Sequence, residues 1–275
     1  MKCAIVYRGI CRGKNLHPQT NRYQYIDYKK CINSVKSNLI KCNSNVEFDV
    51  YAHGWIDDLD IRAQVSSTYN TTLSIFEKQI DFFDDYRNIE GYDKILQERY
   101  SHLHGSACLD RYKDINFQNY FQSIFSYAYS MSQSAAVLER SNIKYDRCIF
   151  LRYDCSINQS IDIQSVNPDK FWTDVVGVDH SPLFYGDFLA ISSVSNIIKF
   201  KEFYNFLKTS IFNNKKFIQW CENIRGSKHL YNPRGRYNHG IYSNQAIYAY
   251  FLNSVGIDYT KIFQLVPCSI IKQNL

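Results

Sequence analysis

Two rhythms of apolar and polar positions alternate along this chain. Cys3-Ala4-Ile5-Val6-Tyr7 is an unbroken apolar run that stops at Arg8-Gly9, which predicts a strand followed by a polar loop through Pro18. Over residues 25–39 the positions Ile26, Cys31, Ile32, Val35 and Leu39 approach helical spacing, and Asn43-Ser44-Asn45 closes the segment. Residues 46–52 alternate as a strand that ends at His53-Gly54-Trp55, and residues 73–80 suggest another. Residues 81–115 are polar and aromatic without a clean period, so they read as a loop or insertion with short helices. The strongest helical stripe follows: Phe117, Phe121, Ile124, Phe125, Ala128, Met131, Ala135 and Leu138, with Asn116 as the expected N-cap.

Next, Cys148-Ile149-Phe150-Leu151 is a continuous apolar run suited to a strand buried on both faces, and it ends at Arg152-Tyr153-Asp154. Further strands are expected at residues 171–178 and 187–192, an amphipathic segment at 197–211, and a last helix at 244–255 stopped by Gly256. Strands alternating with helical segments predict an α/β fold with a mainly parallel sheet and helices on both faces. Without an internal repeat or a Pro/Gly/Ser-rich linker, residues 1–275 read as a single domain.

Composition supports an ordered globular chain: 45% of residues are apolar and 21% charged. Tyrosine and phenylalanine are abundant, at 23 and 18 residues, and most are assigned to the core. The formal charge is +6, with 26 acidic residues interspersed among 32 basic ones. No Lys/Arg run forms a nucleic-acid patch, so no nucleic-acid partner is expected. The mild surplus suits anionic ligands and the cytoplasmic face of a membrane, where a peripheral contact is compatible. Nine cysteines without a C-x-x-C pair or zinc-like spacing read as reduced thiols, and Met1-Lys2 leads straight into the first apolar run rather than a signal core. The expected location is the cytoplasm.

In an open parallel α/β sheet, ligands bind beyond the carboxyl ends of the strands, so the residues just after each apolar run are the ones to question. Here they are Arg8 and Gly9, with Arg12 beyond them, then His53 and Trp55, then Arg152 and Asp154. Arginines at such a point can hold a diphosphate by paired charged hydrogen bonds, and a carboxylate can hold a divalent cation that bridges phosphates. Each also has a plainer structural reading: an ion pair for an arginine, a turn or cap for Asp154, a hydrogen-bonded structural residue for His53, and core packing for Trp55. No Walker loop, G-x-G-x-x-G, G-x-S-x-G or H-E-x-x-H occurs, and Arg234-Gly235-Arg236 is a weak match that marks an exposed loop. P-loop NTPases, Rossmann dehydrogenases, serine hydrolases and zincins therefore leave the leading candidates.

The order of these segments is familiar. The first strand ending in Arg-Gly, then Phe48-Asp49-Val50-Tyr51-Ala52-His53-Gly54-Trp55, then Tyr145-Asp146-Arg147-Cys148-Ile149-Phe150-Leu151-Arg152-Tyr153-Asp154, resembles a group of bacterial and viral polysaccharide glycosyltransferases. Val178-Asp179-His180, Phe184-Tyr185-Gly186-Asp187-Phe188 and Ser243-Asn244-Gln245 resemble further segments of that group. The resemblance implies a GT-A, Rossmann-like fold in which a D-x-D motif after a central strand binds a divalent metal, Mn²⁺ or Mg²⁺, and the donor's diphosphate. Here Arg152-Tyr153-Asp154 occupies that place. Asp154 matches the second carboxylate, and arginine replaces the first, so both a metal-assisted and a metal-independent site follow.

The resemblance further implies a nucleotide-binding half over about 1–155 and an acceptor half over about 156–275. The partners would be a nucleotide-sugar donor and a glycan or glycolipid acceptor, in surface polysaccharide synthesis. Inverting transfer would need a base for the acceptor hydroxyl, and the pool is Asp179, His180 and Asp187, with Asp179 first. These three also read as a turn around Pro182 and Gly186. The competing function is a non-catalytic binding or scaffold protein on the same core, which the missing first carboxylate favours.

Overall fold

The structure, a computed structural model, describes residues 1–10, 12–16, 23–87, 89, 115–175, 185–211, 215–225, 244–257, 262–264, 268–270 and 273–274. The strands are β1 (Lys2–Arg8), β2 (Arg12–Leu16), β3 (Tyr23–Asp27), β4 (Glu47–Trp55), β5 (Thr71–Glu77), β6 (Arg147–Arg152), β7 (Cys155–Ile157), β8 (Phe171–Val175), β9 (Tyr185–Ser192), β10 (Ile262–Gln264), β11 (Cys268–Ile270) and β12 (Gln273–Asn274). The α-helices are α1 (Tyr28–Val35), α2 (Leu59–Tyr69), α3 (Phe83–Tyr86), α4 (Ile115–Arg140), α5 (Val194–Ile198), α6 (Phe203–Phe206), α7 (Lys215–Arg225) and α8 (Asn244–Ser254).

A seven-stranded sheet runs in the order β10-β8-β9-β6-β1-β4-β5. β1 pairs in parallel with β4 and β6, β4 with β5, and β8 with β10, while β9 runs antiparallel to both β6 and β8. The mainly parallel α/β sheet anticipated from the alternation is therefore present. Reversal of β9 brings its first residues to the edge where β1, β4 and β6 end.

Period-two alternation divides the described core into two. Ala4, Val6, Tyr51, Cys148 and Phe150 face one side, under α4, α8 and the helical turns of residues 194–211. Cys3, Ile5, Tyr7, Val50, Ala52, Ile149 and Leu151 face the other, against α1 and α2. The α4 stripe is buried as its spacing predicts: Phe121, Ile124, Phe125, Ala128, Met131, Ala135 and Leu138 are at most 2% exposed. Each large apolar side chain among them contributes about 1.5–3 kcal/mol relative to exposure. The aromatic surplus packs here too, as in the rings of Phe203 and Phe251 with centroids 4.7 Å apart and the stacked pair Phe200 and Tyr248.

Several expectations shift. The polar loop through Pro18 contains β2, which pairs with β3 as β3 pairs with β12. Arg-Gly-Lys-Asn-Leu has no apolar alternation, so its partner strand, not its own pattern, makes it extended. Tyr25 lies in β3, so the first helix starts three residues later than its apolar spacing suggests and then runs through π and 3₁₀ turns to Asn43. Helix α2 has no apolar stripe to announce it, with Val65 and Tyr69 buried but Leu59 74% exposed. Its signal is a cap: Asp58 accepts from the backbone N–H of Asp60 at 2.8 Å and of Ile61 at 3.1 Å. Strand β5 stops at Glu77 rather than residue 80, and α4 begins at Ile115, which puts Asn116 inside its first turn rather than at the cap. Gly256, at φ +78°, ends α8 as expected.

Candidate functional site

Arg8 and Arg152 end their strands side by side. They are register partners in the β1–β6 pair, and the backbone N–H of Tyr153 donates to the Arg8 carbonyl at 3.3 Å. Neighbouring strands lie about 4.8 Å apart, so two guanidinium-bearing residues start from adjacent rows of one edge. Arg8 is only 4% exposed, and its guanidinium carbon lies 5.0 Å from the Tyr127 ring centroid, on α4, and 5.4 Å from that of Phe150. Arg152 lies over the ring of Phe188, at 4.9 Å. Aromatic faces attract cations through their quadrupole and so help to orient both guanidiniums.

Asp154 faces Arg152 across a two-residue step. Arg152 donates from Nε to Oδ1 at 2.8 Å and from Nη2 to Oδ2 at 2.6 Å, a bidentate pair. The Asp154 side chain is 5% exposed and that of Arg152 22%. Both carboxylate oxygens are thus committed to the guanidinium. A divalent cation on Asp154 would compete with Arg152 for the same oxygens. Among the described residues, no group of three or more His, Cys, Asp or Glu stands close enough to hold a metal ion. The described set does not fit a divalent cation.

Gly9 follows Arg8 with φ +97°, in the left-handed region where a side chain is strained, while a Cβ there would meet nothing within 4 Å. Conformation rather than crowding demands glycine at this turn. Its carbonyl accepts from the Trp55 N–H at 3.1 Å and ties the end of β1 to that of β4.

His53 and Trp55 sit within β4 rather than beyond it. His53 is fully buried, and both ring nitrogens are engaged: Nδ1 with Ser130 Oγ at 2.9 Å and Nε2 with Glu77 Oε1 at 2.8 Å. An ionised carboxylate can only accept, so Nε2 carries the proton and Nδ1 accepts from the serine. Burial holds the imidazole below its ordinary pKa even though Glu77 pulls it upward. The hydrogen bond from His53 in turn holds the Glu77 carboxyl below its ordinary value. Trp55 is 5% exposed, stacked on the ring of Tyr129 at 5.5 Å. His53 and Trp55 take the structural roles of a hydrogen-bonded and a packed side chain in this arrangement.

Asp187 lies in the first half of β9; register pairs Leu151 with Leu189, which brings the backbone of Asp187 to the same edge as Arg152. Arg12 belongs to β2, by its backbone. Asp179 and His180 lie outside the described residues, as does Arg234-Gly235-Arg236.

Two acidic residues join this edge without having been singled out. Glu77 would have been found by the strand-end rule had β5 been read as ending there. Asp174, on β8, is fully buried, and its Oδ1 accepts from the backbone N–H of Phe188 at 3.1 Å and of Leu189 at 2.9 Å where the β8–β9 register shifts. In the sequence Asp174 stands out only as a carboxylate inside a strand, Trp172-Thr173-Asp174-Val175. Asp174 thus holds the main chain of Phe188, whose ring lies against Arg152.

No protein-family model and no curated protein sequence matches this chain. Solved structures similar to it include mouse xyloside xylosyltransferase 1, at 8% identity over 96% of this chain and 84% of that one, with a TM-score of 0.39. They also include a galactosyltransferase, LgtC, in complex with donor and acceptor sugar analogs, at 12% identity over 96% of this chain and 73% of that one, with a TM-score of 0.39. A third is the glycosyltransferase GlyE of Streptococcus pneumoniae, at 11% identity over 96% of this chain and 46% of that one, with a TM-score of 0.34.

Proposed function

We propose that this protein is a GT-A-type glycosyltransferase that takes a sugar from a nucleotide-sugar donor whose diphosphate lies at the carboxyl edge of β1 and β6. One observation carries the reading: Arg8 and Arg152 end adjacent parallel strands in register, at the edge where open α/β sheets bind ligands. The motifs around residues 48–55 and 145–154 agree with it, since both end at this edge. Charge builds on the departing nucleoside diphosphate as the glycosidic bond breaks, and guanidiniums already fixed by rings and a carboxylate need no reorganisation to meet it. In this reading residues 1–155 hold the donor and residues 156–275 the acceptor, a glycan or glycolipid used in surface polysaccharide synthesis. The acceptor hydroxyl would lose its proton to Asp187 or to one of Asp179 and His180. Work on a glycolipid would bring the protein to the inner face of a membrane; no described helix is long and apolar enough to cross one.

The commitment of both Asp154 oxygens to Arg152 favours a second reading, a non-catalytic binding protein on the same core. A panel of UDP-, GDP-, CMP- and TDP-sugars tested for thermal stabilisation and for nucleotide release decides between them. Donor at ~100 times its dissociation constant should add roughly 2.7 kcal/mol of stability, with release of nucleoside diphosphate, or of CMP from a CMP-sugar, for an enzyme. Stabilisation without release in the presence of acceptors supports the binding protein, and no stabilisation by any nucleotide counts against both.

A further inference from the structure

We propose that the anion site between β1 and β6 works without a metal ion, with Arg8 and Arg152 taking the diphosphate directly and Asp154 acting as the fixed counter-charge that aims Arg152. This rests on the nucleotide-sugar reading above and deepens it by naming what neutralises the donor. The argument is geometric. A carboxylate that binds Mg²⁺ or Mn²⁺ must present oxygen to the ion, and Mg²⁺ demands near-octahedral oxygen ligands at close range. Here Oδ1 and Oδ2 of Asp154 each accept a short hydrogen bond from the same guanidinium, at 2.8 and 2.6 Å. A divalent cation at those oxygens would stand against a permanent positive charge, because arginine does not lose its proton in proteins.

The two arginines, by contrast, suit phosphate. A guanidinium presents a planar fork of N–H groups that matches pairs of phosphate oxygens. Arg152 uses its Nε and Nη2 edge on Asp154, which points the opposite edge of the plane away from that carboxylate. The guanidinium carbon of Arg152 lies over the Phe188 ring, 4.9 Å from its centroid, and Asp174 anchors the main chain of Phe188 through its N–H at 3.1 Å. On the neighbouring strand Arg8 lies beside the rings of Tyr127 and Phe150. Two preoriented cations on adjacent strands give a diphosphate two points of attachment, the role a bridging metal has where carboxylates line the site.

Calorimetric titration of the full chain with UDP, GDP and inorganic pyrophosphate, once in EDTA and once with Mg²⁺ or Mn²⁺, tests this. Affinity should agree within about threefold between the two conditions, and Arg152→Gln should lose roughly 10- to 150-fold in both, the range expected for charged hydrogen bonds. Arg152→Lys, which keeps the charge but not the fork, should fall between the two. Melting curves check that each variant folds. Should Arg152→Gln fail to fold, the comparison of the unaltered chain with and without chelator decides alone. Binding that requires the metal, with Arg152→Lys indistinguishable from the unaltered chain, overturns the metal-free site and leaves the donor reading intact. Absence of binding by every probe in both conditions overturns the two together.

Discussion

The two ends of the central strands are built from similar charges put to different uses. At the amino end, the Lys2 ammonium lies between Glu47 at 3.2 Å and Asp49 at 3.0 Å, and Asp49 also accepts from the Tyr145 hydroxyl at 2.7 Å, itself in contact with that of Tyr51. The hydrogen bond to Asp49 raises the lysine above its ordinary value. Burial works against the Asp49 carboxylate, but Tyr145 and Lys2 hold it below its ordinary value. Acids surround one base, and the network closes on itself. At the carboxyl end, two arginines stand in register, with Asp154 gripping one of them. The difference teaches that a parallel sheet makes its two edges chemically unequal, because the turns that follow several strands gather on one edge.

That contrast can be broken or sharpened in four ways. The largest effect is expected for Arg152→Gln: turnover of a nucleotide sugar should fall on the order of 10²-fold or more, as when a preorganised donor is removed from a site of developing charge. Lys2→Gln, the matching change at the amino end, should leave turnover and nucleotide affinity where they were, and equal losses from both would erase the distinction. Next, Asp154→Asn removes the negative charge that faces a half-buried guanidinium and one of its two strong acceptors, so about 1–3 kcal/mol of stability should go. Nucleotide affinity should drop with it, roughly tenfold. A variant as stable and as tightly binding as the unaltered chain would remove Asp154 from the site.

The third concerns acid. An unfolded His53 takes up its proton below about pH 6.5, whereas burial keeps the folded one neutral further down, so the unfolded state binds more protons in that window. Glu77 adds to this below about pH 4.3, since its contribution is present above its unfolded value and lost as pH falls through the lower folded one. The melting temperature should therefore decline as pH is lowered from 7 toward 4, and His53→Gln should flatten the upper part of that decline. A wild-type curve level between pH 7 and 5 would mean that His53 is not held neutral. The smallest effect is Tyr145→Phe, which should cost about 0.5–1.5 kcal/mol in denaturant unfolding with no change in nucleotide affinity.

Much of the sheet is legible in the sequence because its central strands are unbroken apolar runs and α4 carries a full stripe. β2, β3 and α2 are not, since a polar hairpin takes its shape from its partner and α2 turns little apolar surface inward. At the proposed site, the strand-end rule leads to Arg8 and Arg152, which do end adjacent strands in register, because it needs only the end of an apolar run. The Arg152–Asp154 pair cannot be read this way, for it depends on side-chain direction at a turn, and the same spacing is compatible with a metal ligand. Glu77 escapes because a strand read three residues too long turns an edge residue into an interior one. His53, taken for the edge, is enclosed because β4 continues through Trp55 and α4 lies across it.

The two-residue spacing of the guanidinium clamp also bears on the order in which the molecule assembles. Arg152 and Asp154 are two positions apart, so their contact closes almost no chain. Tyr145 and Asp49 are 96 apart, and the Lys2 backbone reaches Asp146 across 144. Loop-closure entropy grows with the length enclosed, so the clamp can form with the turn after β6, while the amino-end network waits until β1, β4 and β6 have met. The Arg152–Asp154 pair is thus a local property of a short peptide turn, whereas the register of Arg152 with Arg8 and the network at the opposite edge both report that distant strands have met.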